Sequence, residues 1–160
     1  MARTLVGLIA DTHGLLRPEA VAALEGCTHI VHAGDIGSRT GEPRGVLDAL
    51  AHIAPLTVVR GNNDHAGWAV PIPYTADLEF DGVRIHVLHI LCELAIDPAA
   101  AGVNVVVSGH SHQPQVEARG GVLYVNPGSA GPRRFRLPVS VARLWVEDGH
   151  AEAELVTLLQ

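Results

Sequence analysis

Seven side chains able to hold metal ions stand just beyond five apolar runs: Asp11 and His13, Asp35, Asn62, His89, and His110 with His112. All are oxygen or imidazole donors, with no thiolate among them, a set suited to divalent cations and to two-metal hydrolysis. Each motif also has an ordinary structural use. Asp11-Thr12-His13 puts a carboxylate and an imidazole on one turn, where both can grip one ion; the carboxylate could equally cap a helix. Gly34-Asp35 offers a carboxylate whose two oxygens can bridge two ions, or a plain turn aspartate. Gly61-Asn62-Asn63-Asp64 supplies a neutral amide oxygen, or an Asn-rich turn. Gly109-His110-Ser111-His112 is harder to explain by packing, because two imidazoles directly follow the apolar run Val103–Val107 and histidine is the commonest metal ligand. His89 closes the run Val83–Leu88 and, read singly, fits a hydrogen-bonded buried histidine. His32 lies inside its run and is expected to pack or to support a ligand.

These residues need a scaffold that gathers five strand ends. Strand-like Thr4–Ala10 leads to a helical stretch Pro18–Leu24, and Thr28–Ala33 leads to Pro43–Ile53, each helix entered through a proline. Leu56–Arg60 follows. Strand–helix–strand–helix–strand order implies parallel strands joined by right-handed crossovers, with ligands collecting at their carboxyl ends. The second half differs. Asp81-Gly82, Gly120-Gly121 and Asp148-Gly149 each separate two β-like runs: Asp77–Phe80 from Val83–Leu88, Gln115–Ala118 from Val122–Val125, and Val139–Val146 from Ala151–Leu158. Such dipeptides signal hairpins. Between the first two hairpins, Leu91–Ala101 is expected to form a helix and Val103–Val107 a buried strand. The fold class predicted is α/β (α+β), with two mixed sheets packed face to face and helices outside, in one domain over residues 1–160.

Composition narrows the function. The chain has 11 basic residues, every one an arginine. Without lysine there is no Schiff-base chemistry, no Walker-type phosphate loop and no Ser-Lys nucleophile pair. Net charge is −6 and no basic stripe is visible, so duplex nucleic acid is not an expected partner. No stretch approaches the roughly 18 apolar residues of a membrane span, and the opening run Leu5–Ala10 is too short for a signal sequence. Cys27 and Cys92 lie far apart without redox spacing, which favours buried free thiols in a reducing cytoplasm. The oligomeric state, a homo-oligomer included, is open.

Taken in order, the motifs resemble those of the calcineurin-like metallophosphoesterase superfamily: Asp-x-His as Asp11-Thr12-His13, Gly-Asp as Gly34-Asp35, Gly-Asn-x-Asp as Gly61-Asn62-Asn63-Asp64, a lone histidine as His89, and Gly-His-x-His as Gly109-His110-Ser111-His112. The short length and the Asn126-Pro127-Gly128-Ser129 turn followed by Pro132-Arg133 are most similar to the small YfcE-like phosphodiesterase subgroup, which also includes a retromer subunit that kept the fold largely as a scaffold. The resemblance implies a four-layer fold. It implies one ion held by Asp11, His13, Asp35 and His112, and a second by Asp35, Asn62, His89 and His110, with Mn²⁺ first among Fe²⁺, Mg²⁺, Ni²⁺ and Zn²⁺. It implies hydrolysis of a small phosphodiester by a hydroxide held between the ions. Asn63, Asp64 and His65 are then the catalytic candidates, and Asn126, Gly128, Ser129 and Arg133 the substrate contacts, Gly128 and Ser129 through amides that could cradle an anion or simply form a turn. Two positions depart from the pattern. Many relatives carry a histidine where Asn63 stands, and asparagine cannot deliver a proton to the leaving group; His65 is a candidate substitute. Ile90 stands where glycine usually follows the lone histidine. The competing implication is a weakly active or inactive scaffold that docks a protein partner.

Overall fold

A computed structural model of the chain describes residues 3–38, 42–43 and 45–159. The strands are β1 (Thr4–Ile9), β2 (His29–His32), β3 (Leu56–Val58), β4 (Thr75–Phe80), β5 (Val83–Leu88), β6 (Val105–Val107), β7 (Gln115–Arg119), β8 (Val122–Asn126), β9 (Val139–Glu147) and β10 (His150–Leu159), and the helices are α1 (Pro18–Leu24) and α2 (Val46–Ile53). They build two five-stranded mixed sheets, ordered β10-β9-β1-β2-β3 and β4-β5-β6-β8-β7.

The parallel half of each sheet follows from its crossovers. β1 pairs in parallel with β2 and β2 with β3, while β5, β6 and β8 run parallel in the second sheet. All three glycine-containing turns close antiparallel hairpins, β4–β5, β7–β8 and β9–β10. The last hairpin returns to the first sheet, where β9 lies antiparallel to β1. Because the buried strands lie between two layers, their apolar residues run nearly unbroken, as in β1, where five of six residues are buried.

Three apolar layers result. Val6, Leu8, Val31, Ile85, Val107 and Leu144 belong to the core between the sheets. Leu24, Ile30, Leu50 and Val141 belong to a second layer, where the two helices cover the first sheet. On the outer face of the second sheet, Val103, Val106 and Val122 pack with Leu91 and Leu94. No α-helix covers that face among the described residues, so the expected outer helix is replaced there by a short segment.

Three local expectations change. Leu91–Ala101 is not a helix: a 3₁₀ turn spans Leu91–Glu93, Leu94 turns extended with ψ 117°, and Pro98 lies in a later turn closed by Val103 N–H donating to Pro98 O at 2.8 Å. Proline removes a helical donor and biases the residue before it away from helix. The second helix starts at Val46 and not at Pro43, since Gly45 precedes it with a left-handed φ of 74°. Of the two free cysteines, only Cys27 is buried; Cys92 is exposed. No helix among the described residues is long and apolar enough to cross a membrane.

Candidate metal centre

The ligand candidates all follow strand ends on one edge of the sandwich: Asp11 and His13 after β1, Asp35 after β2, Asn62 after β3, His89 after β5, and His110 and His112 after β6. Strand continuation would point these side chains alternately to opposite faces. Instead Asp11, His13, Asp35, His110 and His112 carry positive φ values of 55°, 46°, 58°, 73° and 62°. This left-handed region is uncommon for residues other than glycine but several-fold enriched in Asp and His. It turns each backbone sharply at the point where a ligand is needed.

Two groups form. Ligand atoms of Asp11, His13 and His112 lie within 4.8 Å of one another, as do those of Asp35, His89 and His110. The groups touch: His89 Nε2 is 3.2 Å from Asp35 Oδ2 and 3.8 Å from Asp11 Oδ1, and His13 Nε2 is 3.8 Å from Asp35 Oδ2. The His13 and His112 rings stack at 5.4 Å, and those of His89 and His110 meet edge to face at 5.3 Å. Asn62 is exposed, with its Oδ1 3.1 Å from His110 Nδ1.

Surrounding bonds orient these groups. His89 Nδ1–H donates to Ala33 O at 2.7 Å, which leaves Nε2 as the lone-pair atom facing the carboxylates. Such a carbonyl partner is how metal-binding histidines are held. His32 is fully buried; its Nδ1 accepts from Gly34 N–H at 3.1 Å, so Nε2–H donates to Thr12 Oγ1 at 3.0 Å, which donates in turn to Ile36 O at 3.0 Å. The chain of bonds ties the β1 turn to the β2 turn. Asp35 accepts from the Asn63 backbone N–H at 2.9 Å and its side-chain amide at 3.1 Å.

Several atoms ask for a cation. Asp11 Oδ1, His13 Nε2, His89 Nε2 and His112 Nδ1 are buried without a hydrogen-bond partner. Imidazole lone pairs facing carboxylate oxygens repel unless a proton or a metal lies between them. Burial raises the Asp11 carboxyl to about 7, although the His89 charge opposes this. Burial also acts to raise Asp35, but the close approach and charge of His89, with the Asn63 amide and His13, outweigh it and bring Asp35 to about 2. His112 falls to about 4 through burial and the Arg134 charge, and burial lowers His13 too. His89 is raised: burial works against its charge, but Asp35 and Asp11 prevail. A centre with an ionised Asp35 carboxylate, His13 and His112 imidazoles biased toward the neutral form, and buried donor atoms without partners fits divalent metal.

Other candidates take different places. Asp64 is 1% exposed, and its carboxylate accepts from the backbone N–H groups of Ile36, Gly37 and Gly61 at 2.9–3.1 Å. It holds the β3 turn against the β2 turn and is a positioning residue, not a reacting one. Asn126 donates to Gly109 O and Ser111 Oγ, both at 3.0 Å, and accepts from Gly128 N–H at 2.9 Å. Ser129 Oγ donates to Asp11 O at 3.1 Å and is buried. In this turn the Gly128 amide is already used, and Asn126 and Ser129 brace two ligand turns from behind. Asn63, His65 and Arg133 do line the open cleft beside His13 and His112, together with Ser38 and Arg134. A packing or ligand-supporting role for His32 is legible in the sequence, but its partner Thr12 is not, because the two are twenty residues apart.

Comparison with known proteins agrees with this geometry. Residues 5–149 match the model of the calcineurin-like phosphoesterase superfamily domain. A probable metallophosphoesterase of Methanocaldococcus jannaschii is 32% identical over 168 residues, covering 96% of this chain and 81% of that protein. Among solved structures, a novel archaeal phosphodiesterase aligns with a TM-score of 0.75 at 20% identity, covering 96% of this chain and 100% of the other. Wild-type Vps29 of Entamoeba histolytica with Zn²⁺ aligns with a TM-score of 0.73 at 20% identity, covering 97% and 99%. With its five motifs at five strand ends, the chain belongs to the calcineurin-like phosphoesterase superfamily.

Proposed function

We propose that the protein is a dinuclear metal-dependent phosphodiesterase acting on small phosphodiesters in the cytoplasm, with Mn²⁺ as its first cation. The observation that carries this reading is the meeting of two ligand groups through Asp11 and Asp35, with buried donor atoms left unsatisfied between them. Asp11, His13 and His112 would hold one ion and His89, His110 and Asn62 the other, with Asp35 shared. When bound, the two ions supply Lewis acidity to the phosphoryl group and to water. An oxygen and nitrogen donor set without sulfur supports Mn²⁺, Fe²⁺, Mg²⁺, Ni²⁺ or Zn²⁺ over softer metals.

The chain's own residues supply position and protons. Asn63 fixes the Asp35 carboxylate by two hydrogen bonds and stands where it would donate to a phosphoryl oxygen. It has no proton to give up, so His65, exposed at the same cleft, is the remaining imidazole there for the leaving group. Arg133 and Arg134 offer guanidinium contacts to the phosphate, in keeping with an anionic substrate and an overall acidic protein. Turnover should favour good leaving groups. The archaeal phosphodiesterase of like fold supports diester over monoester chemistry, and two free cysteines are in keeping with a reducing compartment.

Hydrolysis of bis(p-nitrophenyl) phosphate with Mn²⁺ tests the reading. Asp35→Asn and His112→Ala should each lower kcat/KM by at least about 100-fold. Metal binding without turnover of any diester by the unaltered protein would instead favour a scaffold of the same fold.

A further inference from the structure

The sequence Pro132-Arg133-Arg134-Phe135-Arg136-Leu137 follows the bracing turn, and its first three residues line the cleft beside His13 and His112. Arg134 stands close enough for its charge to act on both Asp11 and His112. The next residue, Phe135, is 87% exposed, the highest exposure among the large hydrophobics. Leu137 N–H donates to Arg134 O at 3.2 Å, closing a turn with Phe135 at its tip and φ of 55°. Left-handed backbone is an outlier for a bulky residue. Phe135, Arg136 and Leu137 also frame an open apolar depression, and they directly follow in the chain the residues that line the cleft.

Phe135 at this exposure is held by little packing, and three arginines in four residues concentrate positive charge within a chain of net charge −6. The cleft itself, about 570 Å³, is far roomier than a dialkyl phosphate needs and lies in the range of drug-sized ligands. Guanidinium groups at the cleft and an exposed aromatic face therefore follow one another along the chain, residue by residue. That is the complement of a molecule carrying an anion and a planar ring side by side.

We infer that the Arg133–Leu137 turn is the specificity element of the site and that the preferred substrates are phosphodiesters bearing a nucleobase, which stacks on Phe135 while Arg133 and Arg134 hold the phosphate. Base–aromatic stacking is tolerant of base identity and is not available to glycerol or choline esters. The inference rests on the phosphodiesterase reading and narrows its substrate.

Two esters with the same leaving group separate the two ideas: thymidine 5′-(p-nitrophenyl phosphate) and methyl p-nitrophenyl phosphate, assayed with Mn²⁺. The unaltered protein should prefer the thymidine ester by about 10-fold or more in kcat/KM. Phe135→Ala should reduce that preference by about 5- to 50-fold, through KM and not kcat. Phe135→Trp should restore it. Turnover of both esters with no preference, or a preference that survives Phe135→Ala, overturns the inference and leaves the phosphodiesterase standing. It is also overturned if Phe135→Ala leaves the preference intact but abolishes self-association or binding to anionic vesicles. Absence of turnover of both esters removes the phosphodiesterase reading and this one with it.

Discussion

Asp64 illustrates how residue type and residue role part company. Its place in the Gly-Asn-x-Asp motif suggests chemistry, yet its carboxylate is engaged by three backbone amides and lies below the cleft. Asp64→Ala would leave those amides buried without an acceptor and should cost about 3–5 kcal/mol, read from the urea midpoint. Activity per folded molecule would fall as well, since Asp35 sits next to the amides of Ile36 and Gly37. Asn63 shows the reverse: exposed and part of an ordinary-looking turn, it nevertheless grips the central carboxylate twice.

At the scale of elements, strand ends are the unit of design. Each ligand follows an apolar strand that cannot shift, because a slip of one residue would put its core face outward. The turns pack so closely that glycine is required at the contacts. A Cβ on Gly61 would collide with Asp35, and one on Gly34 would lie 2.6 Å from His89 Nδ1. Gly34 also has φ of +102°, which L side chains rarely adopt. Gly34→Ala should therefore push the His89 ring off Ala33 O and weaken metal binding by about 10- to 100-fold, with a smaller loss for the first ion than for the second. Isothermal titration with Mn²⁺ would resolve the two events. Equal affinity in both proteins would mean that the His89–Ala33 bond does not orient the ligand.

Across the whole molecule, metal and proton binding compete. In the metal-free protein, His32 and His112 are lowered to about 3 and about 4, so stability lost to their protonation returns as pH rises toward 6.5. Asp11 acts the opposite way: raised to about 7, it holds a proton in the native state that the unfolded chain has released, and stability falls as pH rises from about 4 to 7. His89 is raised too, so its favourable charge is lost above its ordinary range. Over pH 4–6.5 these imidazoles, with His13 and His29 lowered in the same direction, outweigh the one carboxylate; just above 6.5 Asp11 and His89 act, both downward, and the raised Cys27 thiol adds to the decline at more alkaline pH. Metal-free stability should therefore peak near pH 6.5, and Mn²⁺ should abolish the decline just above it. Because loading requires Asp11 ionised and His89 neutral, Mn²⁺ affinity should rise with pH between about 6 and 8, by up to about tenfold per unit for each proton displaced. At 100 times Kd the metal should add about 2.7 kcal/mol, or roughly 5–10 °C in Tm. A Tm unaffected by Mn²⁺ at pH 8 would contradict this.

The ligand inventory, the parallel-then-hairpin order and all three hairpin turns were legible in the chain, because strand periodicity, Asp-Gly and Gly-Gly turns and motif spacing are local properties. The packing of two mixed sheets was readable from the change between a strand–helix half and a hairpin half. What tertiary structure alone decided is non-local. The final hairpin joins β1 and not the second sheet, Asp64 and Asn126 spend their polar atoms anchoring the ligand turns, and the relay from His32 through Thr12 joins two turns. Which lone pairs a polar side chain spends on backbone amides depends on contacts between distant segments, and spacing along the chain does not encode them.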